Sequence, residues 1–323
     1  MHKQLPTWQL IQRSLLQEIE VMLLYVLDSK GSSPGRQGFF MAVNVKGEMS
    51  GSLGGGIMEH KFIEMAKSKI IEGVEEVSVH YQFHDKEAIK NQSGMICSGE
   101  QTILLYKLKQ GDINVISLLI QSLEENKNGT LQLSPGGIFF SENMPVVDFS
   151  LEFTTEGDFI YREKTGFKSR LYIIGGGHCA LAFSRLMYSM DFYICLFDER
   201  MGLNTIDQNH YVHEIILVDN YSALSPMIPS GKNIYVVIMT VGYRTDEAAL
   251  RALLGKDFKY LGMLGSETKI RKLFMDMKAE GIEDRFLNSV HAPIGIPIKS
   301  QATEEIAVSI AAEIIQEKNR ELQ

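Results

Sequence analysis

Residues 170–200 read RLYIIGGGHCALAFSRLMYSMDFYICLFDER, and the fold is decided there. Strand formers at Leu171, Tyr172, Ile173 and Ile174 run into Gly175, Gly176 and Gly177. A segment with helical spacing at Leu181, Phe183, Leu186 and Met187 follows, and then a second apolar run, Phe192 to Phe197, which ends on Asp198. Strand, glycine turn, helix and a second strand closed by an acidic residue make a dinucleotide-binding βαβ unit. Gly175 serves the tight turn, Gly177 lets backbone approach a pyrophosphate, and Ala180 in the third small position lets helix pack on strand. The phosphates would meet unpaired N–H groups at the helix start, and Asp198 is the candidate partner of a ribose hydroxyl. Glycines kept only for the turn are the alternative.

Downstream the alternation continues. Strands are expected at Glu214 to Val218, Ile234 to Met239 and Tyr260 to Leu264, with helices at Thr245 to Leu254, Ser266 to Ala279 and Thr303 to Lys318, the last N-capped at Thr303 with Glu304 and Glu305 in its first turn. This pattern specifies a parallel, doubly wound, Rossmann-like sheet over residues 166–323.

Upstream, Trp8, Ile11, Leu15 and Leu16 mark a helix from Thr7, the expected N-cap, to Ile19, and Val21 to Leu27 is apolar enough for a central strand. That strand leads into a glycine-rich loop, Gly31 to Gly38, carrying Ser32, Ser33 and Arg36. A hairpin turning at Lys46-Gly47 leads into a second, Gly51 to Gly56, with Glu59 on the first turn of the helix behind it. Each loop alone reads as turn chemistry; together they suggest N–H groups converging on an anion. Further strands (Glu75 to Phe83, Glu100 to Leu108) flank a loop holding Cys97, either a packed thiol or a reactive one, with His80 and His84 read as non-ligands. A helix spans Asp112 to Asn126. From about residue 129 turn signals alternate with short strands, so the first half is expected to be a smaller α+β domain over 1–165 with a turn-rich linker from about 129.

Among 323 residues a net charge of −8 argues against a sequence-independent grip on nucleic acid or an anionic membrane. The lack of an apolar run of about 18 residues and of a leader-like N-terminus predicts a cytoplasmic protein. Three widely spaced cysteines, Cys97, Cys179 and Cys195, form no disulfide framework or zinc motif.

Gly31-Ser32-Ser33-Pro34 with Arg36 and Gly38, Gly51 to Gly56 with Glu59, and Gly94 with Cys97 resemble the N-terminal half of the xanthine dehydrogenase accessory factor family of the XdhC/CoxI type. The motifs Tyr172 to His178, Asp198-Glu199-Arg200, Asp246 with Leu250, Tyr260 to Ser266, Pro293-Ile294-Gly295 and Thr303 to Ile310 are similar to that family's Rossmann domain. The resemblance implies a chaperone of purine catabolism, not itself a catalyst, that binds molybdenum cofactor (molybdopterin). It protects the cofactor while a cysteine desulfurase supplies sulfur and delivers it to a xanthine dehydrogenase-type molybdenum hydroxylase. It implies a homodimer, with Cys97 as cofactor contact and metal ligand. The cofactor-binding set is then Cys97, Ser32, Ser33, Arg36, Gly54, Gly55, Gly56 and Glu59, with Gly175, Gly177, His178, Asp198 and Arg200 around NAD(P) or a molybdopterin dinucleotide. The chain departs from the family's pattern at Cys97-Ser98-Gly99, where Cys-Gly-Gly is usual. It also has Pro34-Gly35-Arg36 for Pro-Arg, and Val241 where many members have histidine. The alternative function is an NAD(P)-dependent oxidoreductase, for which no histidine or lysine of the first half stands in a context marking it as acid or base. The hydroxylase itself is excluded, since two [2Fe–2S] clusters need about eight thiolates.

Overall fold

The computed structural model describes residues 2–74, 77–83, 99–155 and 158–320. The chain divides into two compact units, Met1–Gly166 and Phe167–Gln323.

The first unit opens with α1 (Leu5–Leu16), which carries Pro6 in its first turn, where a missing N–H costs nothing. The helix therefore starts before Thr7, which is no cap: Thr7 is buried and its hydroxyl shares a 3.0 Å hydrogen bond with that of Ser50. Trp8 is fully buried, 5.0 Å from the Phe40 ring, and its Nε1 finds no hydrogen-bond partner among the described residues.

Next come β1 (Val21–Gly31), β2 (Phe40–Asn44), β3 (Met49–Gly51), α2 (Gly56–Ile71), β4 (Ser78–Phe83) and β5 (Gly99–Lys107), the strands forming an antiparallel sheet in the order β3-β2-β1-β5-β4. The run Val21 to Leu27 is buried on both faces because successive side chains alternate. Met22, Leu24 and Val26 meet Met58, Phe62 and Ala66 of α2. Val21, Leu23, Tyr25 and Leu27 face α1, α3 (Ile113–Glu124) and a second sheet.

The short alternating strands expected from residue 129 are present, but they form this second sheet of the first unit and not a linker. Strands β6 (Gly129–Ser134), β7 (Gly137–Ser141), β8 (Phe149–Thr155) and β9 (Asp158–Thr165) pair in the order β7-β6-β9-β8. Leu131, Leu133, Phe159 and Tyr161 enter the core beneath Tyr25, and the turn signals belong to hairpins. Glu163 of β9 is 1% exposed, and its Oε2 accepts from the hydroxyls of Tyr161, at 2.8 Å, and Tyr25.

In the second unit, β10 (Ser169–Ile174), α4 (His178–Tyr188), β11 (Phe192–Asp198), α5 (Asn204–Asp207), β12 (Glu214–Leu217), β13 (Gly231–Ile238), α6 (Tyr243–Ala252), β14 (Phe258–Met263), α7 (Glu267–Ala279), α8 (Asp284–Ser289) and α9 (Thr303–Asn319) follow in order. The five strands are parallel in the order β12-β11-β10-β13-β14. The α/β reading of the sequence holds here: a Rossmann-like sheet whose strand order reverses between β10 and β13. Ala180, Phe183 and Met187 of α4 and Ile310 and Ile314 of α9 cover one face. Ala249 and Leu250 of α6 and Ile270 and Leu273 of α7 cover the other. The start of α9 differs from expectation in detail: Ala302 is the N-cap residue, and the Glu305 carboxylate reaches back to the N–H groups of Gln301 and Ala302 at 2.7 and 3.1 Å.

Candidate functional sites

Three adjacent glycines after β10 have three different reasons to be glycine. Gly175 has φ +107°, and a Cβ there would lie 2.4 Å from the Met239 carbonyl oxygen, so the turn is pressed against the end of β13. Gly176 has an ordinary φ, but a Cβ would lie 2.6 Å from Ile206. Gly177 has φ −74° and nothing within 4 Å of a built Cβ. Neither backbone nor packing within the unit requires glycine there. Its bare surface faces open space at the N-terminus of α4, where a ligand's phosphates would sit. His178 begins α4 and lines a groove of about 580 Å³ with Leu181, Arg185, Thr303, Glu304 and Val308.

Asp198 lies at the end of β11 as the spacing requires, with its side chain turned inward. It is fully buried. Oδ1 accepts from the N–H and Nε of Arg200, both at 2.8 Å; Oδ2 accepts from the Gly176 N–H at 2.6 Å and Arg200 Nη2 at 2.7 Å. Burial alone would raise its carboxyl, but the guanidinium and the two N–H donors outweigh that and hold it below its ordinary value. The acid thus fastens the glycine turn to the segment after β11, and Thr205 reinforces this by donating to the Gly176 carbonyl at 2.5 Å. Sequence spacing could not reveal that Arg200 closes back on it.

At the reversal point, beside Gly175, the Thr240 hydroxyl bonds Thr245 Oγ1 at 2.6 Å and the buried Asp246 at 2.5 Å. Lys269 of α7 donates to the other oxygen of Asp246, tying α7 to α6. Val241 is 73% exposed. A half-buried group escaped the sequence reading: Glu313 of α9 accepts from the Tyr260 hydroxyl and, at 2.7 Å, from the Gly295 N–H, and contacts His291 Nδ1 at 3.1 Å. It joins α9, β14 and the loop after α8.

In the first unit the two glycine-rich loops pack directly on one another. A Cβ on Gly35 would lie 1.9 Å from the Leu53 carbonyl oxygen, and one on Gly54 2.3 Å from the Gly35 nitrogen. The glycine between Pro34 and Arg36 is thus what lets the loops touch. Gly99, where β5 begins, fits against Ser32 and Ser33 in the same way, with a Cβ 2.7 Å from Ser32.

Several expected donors are already engaged. Glu59 Oε2 accepts from the Ser52 hydroxyl at 2.6 Å and from the N–H groups of Leu53 and Gly55 at 2.8 and 3.0 Å; Gly54 N–H bonds Ser52 Oγ at 3.0 Å. Glu59 therefore shapes the loop instead of lying behind an anion. Ser33 is buried and donates to the Gly35 carbonyl at 3.1 Å. Ser32, Arg36 and Gly56 are exposed, and Arg36 donates one bond, to the Gly31 carbonyl at 2.8 Å, with no carboxylate partner among the described residues.

Cys97 and His84 lie outside the described residues. Cys195 is buried against Glu214, its thiol pushed up to about 12 by burial first and the carboxylate second. Burial and Glu304 likewise raise Cys179. Neither is an activated thiolate. His80 packs edge-on against Phe62. Among the described residues no three His, Cys, Asp or Glu side chains group as metal ligands, and no helix is long and apolar enough to cross a membrane.

Residues 171–314 match the family model described as the XdhC Rossmann domain, and residues 15–82 that of the XdhC and CoxI family. Of curated relatives, the uncharacterized protein YqeB of Escherichia coli is 23% identical over 91% of this chain, which spans only 43% of that protein's length. A Bacillus subtilis protein described as a probable xanthine dehydrogenase subunit is 22% identical over 93% of this chain and 94% of its own. A crystal structure described as a xanthine dehydrogenase from Bacillus halodurans superposes with a TM-score of 0.69 at 22% identity, covering 97% of this chain and 96% of that one, which establishes the shared fold.

Proposed function

The chain belongs to the XdhC family, and from that premise we propose that it is an accessory factor in the maturation of a xanthine dehydrogenase-type molybdenum hydroxylase. Its first unit carries molybdenum cofactor while a cysteine desulfurase supplies the terminal sulfur, and its second unit holds a nucleotide, either NAD(P) or a molybdopterin dinucleotide. The observation that carries the reading is the mutual packing of the two glycine loops, which sets an exposed Arg36, with no carboxylate partner among the described residues, beside the exposed Ser32. An unneutralised guanidinium beside a hydroxyl suits the phosphate of an anionic cofactor. When bound, the group supplies a dithiolene-held molybdenum that must be kept from water and oxidant.

The residues divide the work. Arg36 and Ser32 offer donors to the phosphate; Glu59, Ser33, Gly35 and Gly54 keep the loops in register; Cys97, two residues before Gly99 in the chain, supplies the thiolate. Cys179 and Cys195 are held as thiols, which leaves Cys97 as the candidate. In the second unit, Gly177 and the first turn of α4 receive the nucleotide's phosphates.

Cys97→Ser tests the assignment. In protein from a molybdate-fed host, the variant is expected to melt with the parent and to lose bound molybdenum, read by elemental mass spectrometry, along with activation of the partner hydroxylase. A variant that carries and delivers cofactor as the parent does refutes the role of Cys97.

A further inference from the structure

Resting on the proposal that the second unit binds a nucleotide, we infer that its ligand presents a phosphate, not a bare diol, to the end of β11, so that a 2′-phosphorylated nucleotide is preferred over its unphosphorylated counterpart.

A dinucleotide turn followed by an acid suggests a carboxylate accepting from the two ribose hydroxyls. Here that carboxylate is not available. Asp198 has no exposed surface, and each of its oxygens already accepts two hydrogen bonds, so a diol would find no lone pair to donate to. Two side chains reach solvent at this place, the exposed Glu199 and Arg200, which is 34% exposed, and Arg200 is the one fastened to Asp198 and through it to the glycine turn. Its Nε and Nη2 are fixed by Asp198, and the Nη1 edge makes no other bond among the described residues.

The position of that edge is set by the glycine turn itself. Asp198 Oδ2 accepts from both Arg200 Nη2 and the Gly176 N–H, so the guanidinium stands one shared oxygen away from the turn that would receive the pyrophosphate. A ribose attached to that pyrophosphate meets a guanidinium whose plane is already locked by its carboxylate. Such a preorganised cation loses little freedom on binding and matches a phosphate. Because the protein carries a net charge of −8, a general attraction for anions does not account for such a preference.

The experiment is isothermal calorimetry of the full chain with NADP⁺ and NAD⁺, which differ only by the 2′-phosphate. The parent is expected to bind NADP⁺ about ten- to a hundredfold more tightly, as a charge-assisted contact gives. Arg200→Ala alone would strand a buried carboxylate, so the paired variant is Asp198→Asn with Arg200→Ala, which keeps an acceptor for Gly176 and removes both charges. In it the two ligands should bind within about twofold of each other. Equal or tighter binding of NAD⁺ by the parent overturns the inference and leaves a nucleotide site standing. A preference that survives in the paired variant overturns the role of Arg200. Binding of neither ligand overturns the inference together with the NAD(P) form of the reading beneath it, and leaves a molybdopterin dinucleotide as the proposed occupant.

Discussion

Gly175 and Gly177, two residues apart, should answer in opposite ways to the same methyl group. In Gly175→Ala the new Cβ meets the Met239 carbonyl oxygen at 2.4 Å, its carbon at 2.8 Å and the Thr240 Cα at 2.9 Å, all backbone atoms of a central strand end. The positive φ contributes about 1–2 kcal/mol of strain and relief of the overlap about 1–3 kcal/mol. For a unit of this size the sum lowers the midpoint of thermal unfolding by roughly 5–15 °C. Gly177→Ala adds a methyl to open space at an ordinary φ, where restriction of the unfolded chain offsets the weaker N-cap and the net effect is within about 0.5 kcal/mol. Scanning calorimetry of the two variants gives the stabilities, and titration with NADP⁺ gives affinity. Gly177→Ala should melt with the parent yet bind at least about tenfold more weakly, since its methyl occupies the phosphate's approach. Equal destabilisation by both substitutions, or full affinity in Gly177→Ala, would refute the division of roles among these glycines.

Tyr161→Phe removes one of two hydroxyls donating to the buried Glu163 carboxylate and should cost about 1–3 kcal/mol in urea unfolding, with tyrosine absorbance reporting the loss. Lys269→Met leaves Asp246 buried and unpaired, for an expected loss of about 3–5 kcal/mol by calorimetry, and Asp246→Asn on top of it should restore most of that. Acid should weaken the second unit by a defined route. Asp198 is buried and Glu313 half-buried, and both carboxyls are held below their ordinary values by their donors, so their contribution is fully present above the ordinary carboxylate range near 4 and is lost as pH falls below it. A pH series of melting temperatures that stays flat from pH 5 down to about pH 2 would contradict this.

The βαβ unit was legible because its signals are local: alternation of apolar runs and a glycine turn fixed β10, α4 and β11 to within a residue or two. The central strand β1 was legible for the same reason, seven consecutive apolar residues being tolerable only where both faces are covered. The strand β9 fell within a stretch expected to hold short alternating strands among turns, but the inward place of Glu163 was not legible in Tyr161-Arg162-Glu163-Lys164-Thr165. Glu163 is inward only because the Tyr25 hydroxyl, 138 positions away, waits there to bond it. Around the candidate sites the residue types were readable and their orientation was not. Glu59 and Asp198 both lie at the expected positions, and both spend their oxygens on the protein's own N–H groups. Which way a carboxylate turns depends on competing donors such as Arg200, and spacing carries no information about that competition.

The burial of Trp8 has a spectroscopic consequence. It is the chain's single tryptophan and lies in the first unit, its indole enclosed by aliphatic side chains and Phe40, away from water. Excited at the red edge of its absorption, where tyrosine is dark, it emits at the blue end of the tryptophan range while α1 stays docked and shifts red when that helix lets go. The second unit contributes nothing to this signal. The emission is therefore a built-in, label-free reading of the first unit alone, taken in the intact protein.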